Sequence, residues 1–148
     1  MPFRFPLQTV LHLYQGLERQ QELRLRTANQ QVSRVRHAIE QVLVRAEQTK
    51  LLHCRQLQTG ITAAEMHFLM ACDSALQLQH HELDRELARL QAFRDRQLQI
   101  FEQARRDRET FESLRDRQHR EYDRDADRRA QREIDDLALL RRRFLTHG

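Results

Sequence analysis

Histidine, cysteine and carboxylate side chains are the groups in this 148-residue chain that could do chemistry, and their spacing argues against a metal site. The chain has eight histidines, yet it contains no HExxH or Cys-x-x-Cys motif and no two histidines four residues apart. His80 and His81 are adjacent, so on a helix they point in different directions. We therefore predict surface histidines and no bound metal.

The acidic clusters do not suggest acid–base catalysis either. On a helix surface, nothing apolar is expected to enclose Asp135 with Asp136, or Glu82 with Asp84 and Glu86, as a reacting pair would require. The chain also lacks the GxxxxGK[ST] loop that holds nucleotide phosphates. We predict that the protein is not an enzyme, with no catalytic residue and no cofactor.

The two cysteines predict reduced thiols. If the chain folds at residue 61, Cys54 and Cys72 are out of register by about four residues, roughly 6 Å along a helix. That offset is a poor geometry for a disulfide. No segment has the run of about 18 apolar residues that a membrane span needs, and residues 1–6 lack the features of a secretory signal. These observations predict a cytosolic protein without direct membrane insertion.

Two long helices joined by a short turn are the simplest interpretation of the chain. Pro6 suits a helix start, and no further proline follows it. Gly60 suits a helix end, and Thr62 followed by Glu65 is a capping box. We predict a first helix over about 7–58, a turn over 59–62 and a second helix over about 63–145, all within one domain of residues 1–148.

Apolar residues in the two predicted helices mirror each other about residue 61. They recur at spacings of three and four, the period of a coiled-coil seam. Folding at residue 61 places Ile39 beside Leu83 and Val35 beside Leu87. The fold class is therefore all-α, an antiparallel two-helix coiled-coil hairpin with a longer second helix. The predicted seam consists of Leu25, Val32, Val35, Ile39, Val42, Leu83, Leu87 and Leu90.

The second helix is predicted to extend past the start of the first. The mirror register leaves residues 112–148 beyond it, on the order of 50 Å of helix. Ile134, Leu137, Leu140 and Phe144 lie on or near one stripe of this segment. We expect that stripe to need cover, either from a partner or from Phe3, Phe5 and Leu7.

The charge distribution argues against a nucleic-acid partner. Residues 1–60 carry 9 basic and 4 acidic side chains, whereas residues 61–148 carry 17 and 18. Nucleic-acid binders usually gather their basic residues on one face and add stacking aromatics or a known module. Because the second helix mixes both signs and tryptophan is absent, a solvated charged surface is the better interpretation.

Three short stretches resemble the flagellar type III export protein family FliJ. They are residues 3–11 (FRFPLQTVL), residues 110–118 (TFESLRDRQ) followed by Tyr122, and residues 134–138 (IDDLA). Length, hairpin and unequal helices agree with the family. The resemblance implies a small cytoplasmic coiled coil similar to the central stalk of rotary ATPases, peripheral at the inner membrane through the export apparatus.

The resemblance also implies partners. They are the hexameric flagellar export ATPase (FliI-like), the cytoplasmic domain of the export gate protein (FlhA-like) and export chaperones. The end with both termini would enter the ATPase ring, and the Gly60 turn would face the gate. The implied gate contacts are Phe68, Leu69, Cys72 and Leu76, and the implied ring contacts are Leu11, Phe111, Leu114 and Leu137.

Two other functions remain open at this stage. One is the equivalent stalk of a virulence secretion system, which has a similar coiled coil. The other is a generic coiled-coil scaffold or a nucleic-acid-binding hairpin unrelated to secretion. Stimulation of a cognate ATPase supports either stalk, whereas salt-sensitive binding to DNA supports an unrelated function.

Overall fold

The computed structural model describes residues 1–146, which form two helices joined by a short turn. Helix α1 spans Gln8–Thr59 and helix α2 spans Ala63–Thr146. The two helices pack against each other, and residues 1–146 contain no strand. The fold is therefore the all-α helical hairpin that the sequence predicts, with α2 the longer helix.

The turn between the helices is formed by the residues that the sequence singles out. Gly60 has a φ of 84°, a left-handed conformation that favours glycine at the end of a helix. In the capping box, the Glu65 amide donates to Thr62 Oγ1 at 3.3 Å, and the Thr62 amide donates to Glu65 Oε2 at 3.2 Å. Two otherwise unsatisfied amides at the start of α2 are thus bonded, and this sets where the helix begins.

The chain divides into two compact units. The first, here called the terminal unit, contains Met1–Arg19 and the part of the chain from Gln103 onward. The second, the tip unit, contains Gln20–Glu102 and includes the turn. Each unit holds a stretch of α1 and an antiparallel stretch of α2.

The tip unit is held by small aliphatic side chains on α1 and larger leucines on α2. Ala28, Val32, Val35 and Val42 are buried, whereas Leu25 and Ile39 on the same helix are half-buried. Leu83, Leu87 and Leu90 are half-buried too. A thin two-helix seam explains this asymmetry, because a leucine that covers a valine leaves its own outer atoms exposed to water.

In the terminal unit, the amino-terminal residues pack on a different part of α2 from the one expected from the sequence. Residues 1–7 lie beside α2, and the Phe3 ring contacts His119 and Tyr122 at centroid distances of 4.8 and 5.6 Å. The uncovered part of α2 therefore begins later than residue 112. Ala126 is still half-buried, and every residue from Asp127 to Thr146 is exposed.

The apolar stripe near the end of α2 is not covered by the amino-terminal residues. Phe3 packs on His119 and Tyr122, and Phe5 is buried within the terminal unit. Ile134, Leu137 and Phe144 keep 59%, 65% and 80% of their surface exposed. The expectation that Phe3 or Phe5 covers this stripe is therefore wrong.

Val32→Ala should lower the stability of the hairpin, because Val32 is only 2% exposed. Losing two buried methyl groups costs about 1.5 kcal/mol, and the better helix propensity of alanine returns about 0.5 kcal/mol. Val44→Ala is the matched control, since Val44 is 56% exposed on the same helix. Thermal melting followed by circular dichroism should show a lower Tm for Val32→Ala and an unchanged or higher Tm for Val44→Ala. Equal shifts would contradict the burial pattern.

Candidate functional site

A charged cluster occupies the seam of the terminal unit. Arg108 of α2 contacts Glu18 of α1 across the seam and Glu112 one turn along its own helix. The Arg108 and Glu18 side chains are each 19% exposed. Burial lowers the pKa of Arg108, but the contact with Glu18 and the charges of Glu112 and Glu109 outweigh it and hold that pKa above its ordinary value. Arg108 therefore remains a permanent cation facing an acidic side chain of the other helix.

Aromatic and aliphatic packing surrounds this cluster on the side toward the chain start. The rings of Tyr14 and Phe111 stack at a centroid distance of 4.8 Å and an interplanar angle of 22°. Leu11, one turn before Tyr14, is fully buried. The Tyr122 hydroxyl donates to the backbone carbonyl of Met1. These contacts hold both stretches of the terminal unit together up to the point where α2 becomes uncovered.

The tip unit contains a second polar pair. Gln97 Nε2 donates to Gln21 Oε1 at 2.6 Å across the seam, and Gln97 is the one buried residue of α2 among those described. Farther along the seam, the His53 Nε2 atom is buried without a hydrogen-bond partner. A cross-helix amide pair matches only one register, so it selects that register at a small cost in stability.

The predicted gate-contact residues lie on neighbouring faces near the start of α2. Phe68 is 68% exposed, whereas Leu69, Cys72 and Leu76 are half-buried. Phe68 and Cys72 are four residues apart, so they adjoin on the helix surface. Leu69 and Leu76 continue the inward-facing ladder of α2. Of these four residues, Phe68 therefore has the largest fraction of its surface free for a partner.

The predicted ring-contact residues fall in different environments. Leu11 is fully buried, so its side chain presents no surface to a partner in this conformation. Phe111 and Leu114 are half-buried, and Phe111 is stacked on Tyr14. Leu137 is 65% exposed in the uncovered part of α2. The structure does not bring these four residues into one surface, and Leu137 is the most exposed of them.

The surface of the tip unit offers grooves rather than an enclosed cavity. One of these grooves has a volume of about 680 Å³ and is open to solvent, and its lining residues include Arg34, Arg89, Arg96, Glu86 and Phe93. Its charges are of both signs. A groove of this kind suits a protein surface better than a reaction, because nothing excludes water from it.

Within residues 1–146, no three histidine, cysteine or acidic side chains converge as metal ligands. His147 lies outside the described residues. Cys54 and Cys72 are free. Neither helix, over the part described, has an apolar stretch long enough to cross a membrane.

A comparison with known protein families identifies the family of this chain. The family model described as "Flagellar FliJ protein" matches residues 3–144. The chain belongs to the FliJ family. Searches of curated proteins and of solved structures gave no match. The FliJ match includes both units and the uncovered end of α2 as far as Phe144. It makes this chain a coiled-coil protein associated with flagellar export, from a family whose members are structural export components rather than catalysts.

The polar contacts of this FliJ-family hairpin are the residues that an apolar pattern alone misses. Glu18 and Gln21 continue the ladder of α1, and Gln97 and Arg108 continue that of α2, at spacings of three and four. Each position carries a polar side chain, so a search for apolar residues passes over it. Following the ladder through polar positions would have found all four.

Removing either partner of the Glu18–Arg108 pair should destabilise the hairpin. Glu18→Leu leaves a half-buried cation facing an apolar side chain, and we expect a loss of about 1–2 kcal/mol, less than for a fully buried pair. The double variant Glu18→Leu/Arg108→Leu should recover most of that loss. Chemical denaturation of the four proteins in this cycle measures the coupling energy.

The exposed pair Glu22–Arg26 is the control for this cycle. Its side chains are 54% and 64% exposed, and the two residues are four apart on one helix. The same leucine cycle there should give a coupling of no more than about 0.5 kcal/mol. A coupling at Glu18–Arg108 as small as that of the control would show that the cross-helix pair does not act on the fold.

Proposed function

We propose that this protein is a non-enzymatic, central-stalk-like coiled coil that binds the hexameric flagellar export ATPase, promotes its assembly and activity, and couples it to the export gate protein. The observation that carries the proposal is the FliJ family match over residues 3–144. Because that family is flagellar, it favours the flagellar apparatus over a virulence secretion system. The proposed location is cytoplasmic, peripheral at the inner membrane through the export apparatus.

The terminal unit supports a contact with the ATPase ring. Its uncovered stretch, Asp127–Thr146, exposes Ile134, Leu137, Leu140 and Phe144. Exposed apolar side chains on one helix stripe are characteristic of a surface that a partner covers. We propose Leu137 as an anchor of the ring contact. Phe111 and Leu114 would act through the packing of the terminal unit, and Leu11 would support it from within.

The charged surface of α2 suits a ring that offers several similar subunit faces. Ion pairs such as Arg105 with Glu109 and Arg128 with Asp125 are exposed and lie within one helix. Pairs of this kind contribute little individually and exchange readily with other partners. A surface covered by them can contact one subunit and then another without a strong preference.

The tip unit supports a contact with the cytoplasmic domain of the gate protein. Phe68 exposes a large aromatic ring beside the half-buried Cys72 thiol, close to the turn. Aromatic anchors are enriched among residues that dominate binding energy. Leu69 and Leu76 would hold the helix face that presents Phe68. Export chaperones are a further proposed class of partner for this coiled coil.

Leu137→Asp should abolish stimulation of the export ATPase without unfolding the hairpin. Leu137 is 65% exposed, so a charge there costs the free protein little, but burying that charge against the ring should weaken binding at least tenfold. The assay mixes purified protein with the flagellar export ATPase of the same genome and measures ATP turnover and hexamer assembly together.

Leu139→Asp is the matched control for the ATPase assay. Leu139 is 60% exposed and points away from the Leu137 stripe. The Leu139→Asp variant should stimulate ATP turnover as strongly as the wild-type protein. A truncation after Asp127 should also lose stimulation while keeping the contacts of Phe3 with His119 and Tyr122. Full stimulation by Leu137→Asp and by the truncated chain would exclude the terminal stretch as the ring contact.

Phe68→Ala should weaken binding to the gate domain by about tenfold, as expected for an aromatic anchor. Met70→Ala is the control, since Met70 is 56% exposed and faces another side of the same helix. Titration calorimetry with the purified gate domain measures both affinities. Equal affinities for the two variants would place the gate contact elsewhere on the tip unit.

A further inference from the structure

The uncovered end of α2 carries an apolar stripe whose flanking charges are separated by sign. Leu137, Leu140 and Phe144 share one face, and their exposed fractions are 65%, 49% and 80%. The preceding turn contains Glu133, Asp135 and Asp136, and the following turn contains Arg141, Arg142 and Arg143. Acidic and basic charges thus lie at opposite ends of one short apolar surface.

The charges of two copies of this segment are complementary when the two helices run antiparallel. We propose that two copies of this chain pair antiparallel through the Ile134–Phe144 stripe. Leu137 of each copy then packs on Leu140 of the other, and the acidic turn of each copy lies beside the basic turn of the other. The proposal concerns the chain alone and does not rest on the proposed ATPase contact.

The positions of two charged residues make the proposal specific. Asp136 and Arg143 are seven residues apart, so they lie on the same flank of the stripe. In an antiparallel pair these flanks meet, and Asp136 of each copy faces Arg143 of the other. Within residues 1–146 neither side chain has an intrachain hydrogen bond or ion pair, so both are free to make this contact.

A parallel pair fits the same stripe less well. It would place Glu133 beside Glu133 of the second copy and bring Arg141 and Arg143 of the two copies together. Like charges at facing positions oppose association. The charge pattern therefore selects the antiparallel arrangement.

The pairing should be weak and reversible. The stripe from Ile134 to Phe144 is about three helical turns long, so the interface belongs with transient contacts that bury less than about 1,200 Å² in total. The pair would also cover Leu137. A protein paired in this way could not present that residue to another partner at the same time.

Two reciprocal charge reversals test the arrangement. Asp136→Arg alone and Arg143→Asp alone each place like charges at both contacts of the pair. Each variant should dimerise about tenfold more weakly than wild type in sedimentation velocity over a concentration series. An equimolar mixture of the two variants should regain the wild-type affinity as a heterodimer, because both of its contacts then join opposite charges.

Matched controls and salt make each outcome decisive. Asp135→Arg and Arg142→Asp reverse neighbouring charges on the far side of the helix and should dimerise like wild type. At high salt the dimerisation affinities of all the variants should become similar, since exposed charges are then screened. Circular dichroism checks that each variant keeps its helices.

The proposal is overturned by any of three results. In the first, the wild-type chain stays monomeric throughout the series, which leaves the stripe to a different partner. In the second, Arg143→Asp strengthens the dimer, as a parallel pair would give because the arginines of its two copies lie together. In the third, the mixture of the two variants fails to regain affinity.

Discussion

The packing of α1 against α2 along one narrow strip is the constraint on which the whole structure depends. A helix of this length exposes most of its surface whatever it packs against, so only one face of each is available for burial. The buried side chains of α1 in the tip unit are alanine and valine, which let the helices approach closely. Everything outside the strip is free to carry charge. This explains how a chain with 32% charged residues can form a defined fold.

Apolar packing alone does not fix how two long helices align, because a ladder of similar side chains can slide by a heptad. The polar contacts of this hairpin remove that freedom. Glu18 meets Arg108 in the terminal unit, and Gln21 meets Gln97 in the tip unit. A shift of one heptad would separate Gln21 from Gln97 and place Arg108 opposite Leu11 or Leu25, and leaving such a group without its partner costs more than the contact itself contributes. The connection from Thr59 to Ala63 adds a covalent limit, since it is too short to permit slippage.

Much of the fold could be predicted from the sequence because it follows from local rules. The spacing of three and four residues predicts the seam, and Thr62 with Glu65 marks the start of α2. The packing of Phe3 on His119 and Tyr122 was not predictable in this way, because it joins residues outside any periodic pattern across a large sequence separation. Glu18 and Arg108 do follow the spacing of three and four residues. Their seam positions could not be recognised from apolar residues, because their side chains are charged. The partner surfaces depend on exposure, which only the folded arrangement reveals: Leu11 and Leu137 are both leucines on helices, yet one is fully buried and the other is exposed.

The stretch Asp127–Thr146 differs from the remainder of α2 in how its helical state is maintained. Elsewhere, opening a turn of α2 also exposes side chains of the seam, so backbone amides there are protected by tertiary packing. Between Asp127 and Thr146 every residue is exposed, so the backbone hydrogen bonds there rest on intrinsic propensity and single-helix ion pairs, which keep isolated helices only marginally stable. We therefore expect these amides to exchange with solvent as a separate cooperative unit of low protection. Any macromolecule that settles on it also slows that exchange, so the exchange rate of these amides reports occupancy directly.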